Sequence, residues 1–271
     1  MSSVIRHMDL QLARRVELAE AEAARACAEG MRRMDPDAPA AWGEFAGGIA
    51  VFTGKDSPIT QAVGVGLDGP VAEADIDALE RFFRDRGATV ALEVCPLAGL
   101  EFYGLLAKRG YRLVEVSNVL VRSLGGEVFS APPPHVTMRI AEQSEAAFWT
   151  RTVAEGFAEQ FPVTPPLLEV MEGFFRRPGA TCFLAYVDGE VAGGGVVSRH
   201  KGVAGLFGAS TLPAFRRRGV QSALLAARLS WAQEHGCNLA ASIALPGSAS
   251  QRNIERAGFQ VAYTRTKMLL E

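Results

Sequence analysis

The sequence predicts an α/β protein built as two units in tandem, each a mixed, largely antiparallel sheet flanked by helices. Three observations carry this. Strand-like and helix-like segments alternate along all 271 residues, the pattern of sheets covered by helices. The stretch LGGEVFSAPPPHV, residues 124–136, holds three consecutive prolines and divides the chain almost in half; such a segment is stiff, extended and unable to join a helix or a central strand. The two halves also end alike. With Gly110-Tyr111 placed over Gly258-Phe259, both run strand, loop, helix, strand, proline, helix, Gly-aromatic, strand, as an internal repeat would. The expected division is a first unit over 1–127, a Pro-rich linker over 128–135 and a second unit over 136–271.

Residues 8–34 are rich in Ala, Glu and Arg with helical spacing. Residues 41–67 carry apolar and β-branched runs broken by Gly-Lys-Asp and Ser-Pro, which predicts two or three strands. DIDALERFFRDRG sets Ile76, Leu79, Phe82 and Phe83 at helical spacing and closes on a glycine. TVALEV reads as a buried strand, LEFYGLLAKRG as a helix ending at Gly110, and YRLVEVSNVLVRSL as a strand. Beyond the linker come strand VTMRIA and helices SEAAFWTRTVAEGFAE and LLEVMEGFFRR. A hairpin turning at Asp188-Gly189 follows, then strand GVAGLFGAST. Within the hairpin, Gly193-Gly194-Gly195 predicts a bulge or a close backbone approach. After PAFRRRGVQSALLAARL come strand NLAASIA, helix ASQRNIERA and strand QVAYTRTKMLL.

Composition narrows the partners. Net charge is −2, with 48% hydrophobic and 21% charged residues. That is ordinary for a soluble globular chain and argues against nucleic acid and membrane surfaces as partners. Cys27, Cys95, Cys182 and Cys237 are far apart, so no metal site is expected and reduced, small apolar thiols are. The N-terminus has no signal-peptide core and no apolar run reaches bilayer length. The expected setting is cytoplasmic, as a monomer or homodimer.

The chemistry concentrates at Arg216-Arg217-Arg218-Gly219-Val220-Gln221-Ser222. A helix N-terminus offers about four unpaired N–H groups, and a sharply bent loop before it aims further amides at the same point. Gly219 lets an anion approach the backbone, and arginines supply paired donors. Three arginines here oppose the helix dipole unless an anion sits on them. The equivalent place in the first half reads LDGPVAEAD, where Asp68, Glu73 and Asp75 suit a helix start with nothing bound.

With its preceding strand and Pro213, this stretch resembles the acyl-CoA loop of the GCN5-related N-acetyltransferases (GNAT), whose pattern is Gln/Arg-x-x-Gly-x-Gly/Ala. The resemblance runs from about Val136 to the C-terminus and takes in Asn253-Ile254-Glu255-Arg256-Ala257-Gly258-Phe259. It implies tandem GNAT-like units, the first a degenerate copy without a CoA loop. It also implies an N-acetyltransferase with acetyl-CoA as co-substrate and a small-molecule amine or peptide as acceptor. Amides from Arg217, Arg218, Gly219, Val220, Gln221 and Ser222 would hold the pyrophosphate, with Arg216 at the first motif position. Ser210, Thr211 and Leu212 would pair with the pantetheine arm, and Asn253 would touch the cofactor. Gln221 departs from the pattern, which has Gly or Ala there.

A second departure concerns catalysis. The family's usual acid, a tyrosine four residues before the Gly of Gly-Phe, is replaced by Ile254. Tyr263 on the last strand is the candidate substitute, against a structural role for a half-buried tyrosine. Ser248 and Ser250 precede a helix, as thiolate donors or as its N-cap. Glu155 and Glu159 flank Phe157 where the family builds its acceptor site, with Glu155 the candidate to bind a cationic acceptor or take its proton. His200 reads as a base or an exposed turn. The alternative function is a non-catalytic acyl-CoA-binding or sensing module.

Overall fold

The computed structural model describes residues 8–159 and 162–271. A 25-residue helix, α1 (Leu10–Met34), opens the chain, its N-terminus capped by the Asp9 carboxylate accepting from the Leu12 amide at 2.8 Å. The first half continues with β1 (Ala41–Phe45), β2 (Gly48–Phe52), β3 (Gln61–Val63), α2 (Glu73–Arg84), β4 (Val90–Val94), α3 (Leu100–Lys108) and β5 (Arg112–Ser123). The second half holds β6 (Val136–Ile140), α4 (Ala146–Gly156), α5 (Pro165–Arg176), β7 (Ala180–Val187), β8 (Glu190–His200) and β9 (Val203–Thr211). It closes with α6 (Val220–Glu234), β10 (Leu239–Ala244), α7 (Ala249–Arg256) and β11 (Gln260–Leu270).

The halves do not form two separate sheets. One 11-stranded sheet runs β1-β2-β3-β4-β11-β5-β10-β9-β8-β7-β6. Its centre is an exchange of last strands. By the internal repeat, β4 is followed by its own last strand β5, and β10 by β11. Instead β4 pairs antiparallel with β11, β10 pairs antiparallel with β5, and β5 and β11 pair with each other. Each half thus completes its sheet with a strand of the other.

Strand alternation fixes two faces. Val119 and Val121 of β5 pack with Ala13, Val16 and Ala19 of α1, while Leu120 and Leu124 pack with Leu224 and Leu225 of α6. The helices α1, α4 and α5 share the first face. On the opposite face, α2 and α3 lie over Leu92 and Val94 of β4, beside α6 and α7. Glu93 therefore points to the α1 face from a strand whose neighbours are apolar.

The Pro-rich segment is a strap rather than a free tether. The guanidinium of Arg122 lies 5.0 Å from the Phe129 ring centroid, and the Val136 amide donates to Pro133 O at 2.8 Å. The hairpin turns through Asp188 and Gly189, both at positive φ. The glycine run lies against β9: a Cβ on Gly193 would stand 2.3 Å from Ser210 O. The four cysteines are free and buried, and burial pushes the thiols of Cys27, Cys95 and Cys182 up to about 12. No helix among the described residues is long and apolar enough to cross a membrane.

Candidate functional site

Strands β9 and β10 run parallel but pair only over Val203–Gly205 and Leu239–Ala241. Ser242 Oγ donates to Leu206 O at 3.2 Å, and beyond that contact the strands part. The parting begins where β9 bulges: Val196 of β8 faces Phe207, but Gly194 already faces Ser210. Gly208, at φ +48°, makes that bend. Inside α6, Arg228 is fully buried and donates to Val196 O at 3.3 Å and Phe207 O at 3.4 Å, fixing the helix to the bulged strand pair.

A cleft of about 850 Å³ fills the gap, within the usual size for small-molecule sites. One end is basic. Arg216, Arg217, Gly219, Val220, Gln221 and Ser222 line it at the start of α6. Gly219 is the N-cap at φ +85° and makes no side-chain cap, so the first amides of α6 lack the partner that Ser248 gives α7. Arg217 also sits at positive φ, +62°, a backbone state that costs a non-glycine residue of order 1 kcal/mol. The linker supports this turn from behind. His135 Nε2 lies 3.2 Å from Arg218 O, and Pro133 packs on Gly219.

The same position in the first half is closed. Asp68 pairs with Arg14 of α1, and the Asp75 carboxylate accepts from the Ala72 amide at 2.9 Å.

The side walls come from strand ends. Ser210 and Thr211 of β9 line one wall. Ser210 is buried and donates to Val153 O at 2.8 Å, whereas Thr211 Oγ1 is buried with no hydrogen-bond partner. The α4 terminus closes on them: Gly156 lies so near Ser210 that a Cβ would stand 2.2 Å from its Oγ. Phe157 and Glu159 follow, with Glu159 ion-paired to Arg216. Ser248, Ser250, Asn253 and Arg256 line the opposite wall. Ser248 is the N-cap of α7, accepting from the Gln251 amide at 3.1 Å.

The inner end is acidic and comes largely from the first half: Glu93 of β4, Glu115 and Ser117 of β5, with Arg265 of β11. Arg265, fully buried, reaches Glu20 at 2.6 Å, Glu93 at 3.1 Å and Glu17 at 3.3 Å. Burial raises the carboxyls of Glu93 and Glu17 against the pull of Arg265, Glu17 to about 7.

The structure thus gathers Ser210, Thr211, Arg216, Arg217, Gly219, Val220, Gln221, Ser222 and Asn253 around one cleft. Leu212 and Arg218 are not in its lining. Leu212 donates its amide to Ala192 O, and Arg218 turns outward to Asp188 at 2.6 Å. Neither candidate catalytic residue lines it. Tyr263 is buried between α1 and the sheet and donates to Glu17 Oε1 at 2.7 Å; burial and that carboxylate hold its phenol well above the usual range. Glu155 lies on exposed helix surface, 3.9 Å from Arg151. Ile254 is a core side chain beneath α7, and His200 stands outside the cleft with its imidazole lowered by burial. The sequence reading passed over Glu93, Glu115, Ser117 and Arg265. A glutamate within TVALEV and an arginine within QVAYTRTKMLL were the available signals.

Residues 146–259 match the acetyltransferase (GNAT) family. They form a GNAT-family domain. Strands β7–β10, helices α4–α7 and every cofactor-binding candidate fall inside the GNAT domain; β11 and the acidic inner end of the cleft fall outside it. Solved structures resemble the whole chain. A GCN5-related N-acetyltransferase from Kribbella flavida is 18% identical, with 92% of this chain and 94% of that one covered at TM-score 0.65. A tandem GNAT protein from the clavulanic acid biosynthesis pathway is 17% identical, with 97% and 94% covered at TM-score 0.60. A GCN5-related N-acetyltransferase from Sphaerobacter thermophilus is 18% identical, with 95% and 93% covered at TM-score 0.57. At these identities the likeness is one of fold, and it extends the GNAT comparison over both halves. No curated protein matches the sequence.

Proposed function

We propose that the chain is an N-acetyltransferase that moves an acetyl group from acetyl-CoA directly to an amine. The observation that carries this reading is the polarity of one cleft: an uncapped, arginine-rich helix start at one end and carboxylates at the other, in the gap between β9 and β10.

In this reading the amides and arginines at the start of α6 take the pyrophosphate. The open edge at Ser210 and Thr211 takes the pantetheine amides, which gives the buried Thr211 hydroxyl a partner. The thioester then lies between the loop and the acidic end, where an amine can be held against it. The amine nitrogen attacks the carbonyl carbon; the C–N bond forms, the C–S bond breaks, and the nitrogen sheds a proton as the thiolate leaves and is protonated. An acceptor ammonium has a pKa of about 10 and must lose a proton first, which suits a carboxylate at the inner end. The first half binds no CoA, because an anion at its helix start would meet Asp68, Glu73 and Asp75, and Arg14, the cation nearby, is already paired with Asp68.

A second reading, a non-catalytic acyl-CoA-binding module, draws on Ile254 standing where the family's acid usually is. Two measurements separate them. Calorimetry with acetyl-CoA is expected to give one site per chain; two sites, or none, overturn the cofactor assignment. Thiol release across an amine panel is expected under the first reading, and tight binding with no release supports the second.

A further inference from the structure

The acidic end of the cleft holds more carboxyls than cations. Glu93 of β4, Lys267 of β11 and Glu115 of β5 form one row across three strands, because Lys267 is in register with both glutamates. Arg265, two residues earlier on the same strand, stands opposite Ser117. Glu17 and Glu20 reach Arg265 from α1. The cations of this cluster are already engaged. Arg265 is shared among Glu17, Glu20 and Glu93, and Lys267 Nζ donates to Gln61 Oε1 at 2.9 Å while lying 3.9 Å from Glu93. Glu17, Glu20, Glu93 and Glu115 thus stand as four carboxyls around two cations, Arg265 and Lys267.

Two of those carboxylates line the cleft. Glu93 is 6% exposed, and its Oε2, which accepts no well-aligned hydrogen bond, lies 3.1 Å from Arg265 Nε. Glu115 is exposed and has no hydrogen bond or ion pair among the described residues. The two sit at different depths on strands separated only by β11, so their Cα atoms are roughly 10 Å apart. Both belong to the first half, and both reach the cleft because the exchanged strand β11 lies between them.

We propose that the first half supplies the acceptor specificity of this site, with Glu93 seating the reactive ammonium and Glu115 a second positive charge. The preferred acceptor class is a short dication of the diamine type. A zwitterionic amine carrying a carboxylate is selected against, because its anion meets Glu115. This rests on the acyl-transfer reading above and adds the acceptor's charge to it.

The experiment compares 1,4-diaminobutane, n-butylamine and 4-aminobutyrate as acceptors by thiol release, with acetyl-CoA binding measured separately by calorimetry. The expected order of kcat/KM is diamine, then butylamine, then aminobutyrate, with at least tenfold between first and last. Glu115→Gln is expected to narrow the diamine-to-butylamine ratio at least threefold through KM. Glu93→Gln is expected to lower kcat/KM at least tenfold for every amine. Neither variant should change the Kd for acetyl-CoA, which also reports that it has folded. Equal use of the three amines, no turnover of any of them with acetyl-CoA bound, or an unchanged ratio in Glu115→Gln overturns the proposal. Failure of acetyl-CoA to bind the parent chain overturns the acyl-transfer reading itself.

Discussion

Pro133 of the inter-half strap and Gly219 at the head of α6 are in contact, and a Cβ on Gly219 would stand 2.8 Å from Pro133 Cγ. The residue that opens the proposed anion loop is therefore held from behind by the segment that joins the halves. Gly219 is constrained twice, by this contact and by φ +85°.

Gly219→Ala is accordingly expected to weaken acetyl-CoA binding at least tenfold while costing only about 1–3 kcal/mol of stability. Titration calorimetry and thermal unfolding report the two quantities. Pro133→Ala in the same background removes the clash but not the backbone strain, so it should restore part of the affinity. Unaltered binding in Gly219→Ala would sink the loop assignment.

Arg216 and Arg218 are two residues apart in sequence and differ in direction. Arg216 lines the cleft beside Glu159, whereas Arg218 pairs with Asp188 at the surface. Arg216→Ala should weaken CoA about tenfold, and Arg218→Ala less than twofold, since an exposed pair contributes about 1 kcal/mol or less. Equal losses in the two variants would show that the loop rearranges when CoA binds.

Local pattern made most of this fold legible. The 3.6-residue spacing of Ile76, Leu79 and Phe83, the prolines of the strap and the Asp188-Gly189 turn each specify a structure that a short window contains. The strand exchange has no such local signature. Within β5 and β11 the alternation of residues is the same whichever neighbour they pair with, so pairing partners follow from the whole sheet. The basic end of the cleft was legible because one loop carries it. The acidic end was not, because Glu93, Glu115 and Arg265 come together only through the exchange. Tyr263 shows the same limit: its partner, Glu17, is 246 residues away.

That partner decides what Tyr263 does. Its hydroxyl hydrogen is spent on Glu17 Oε1, on the α1 side of the sheet and outside the cleft lining. Tyr263→Phe should therefore lower stability by about 1–3 kcal/mol, the range for leaving a buried acceptor without its donor, and leave kcat within about twofold. A hundredfold loss of kcat with unchanged CoA affinity would restore Tyr263 as the acid that protonates the thiolate.

Glu17 also gives the protein a pH dependence of definite sign. Burial raises its carboxyl from 4.5 to about 7, opposed by Arg265 and by the Tyr263 hydrogen bond. The folded state then holds a proton that the unfolded chain releases above about pH 4.5. Where the native state binds more protons, stability falls as pH rises. The contribution of Glu17 is thus largest below pH 4.5, declines between about pH 4.5 and 7, and is absent above, with a span of at most a few kcal/mol. Glu93, also raised by burial, adds to the same trend. Glu17→Gln keeps the acceptor for Tyr263 and removes the titration. Denaturant unfolding from pH 5 to pH 8 should show a shallower decline in the variant, and the two proteins should differ most at the alkaline end. Parallel curves across that range would mean that Arg265 holds Glu17 ionised throughout.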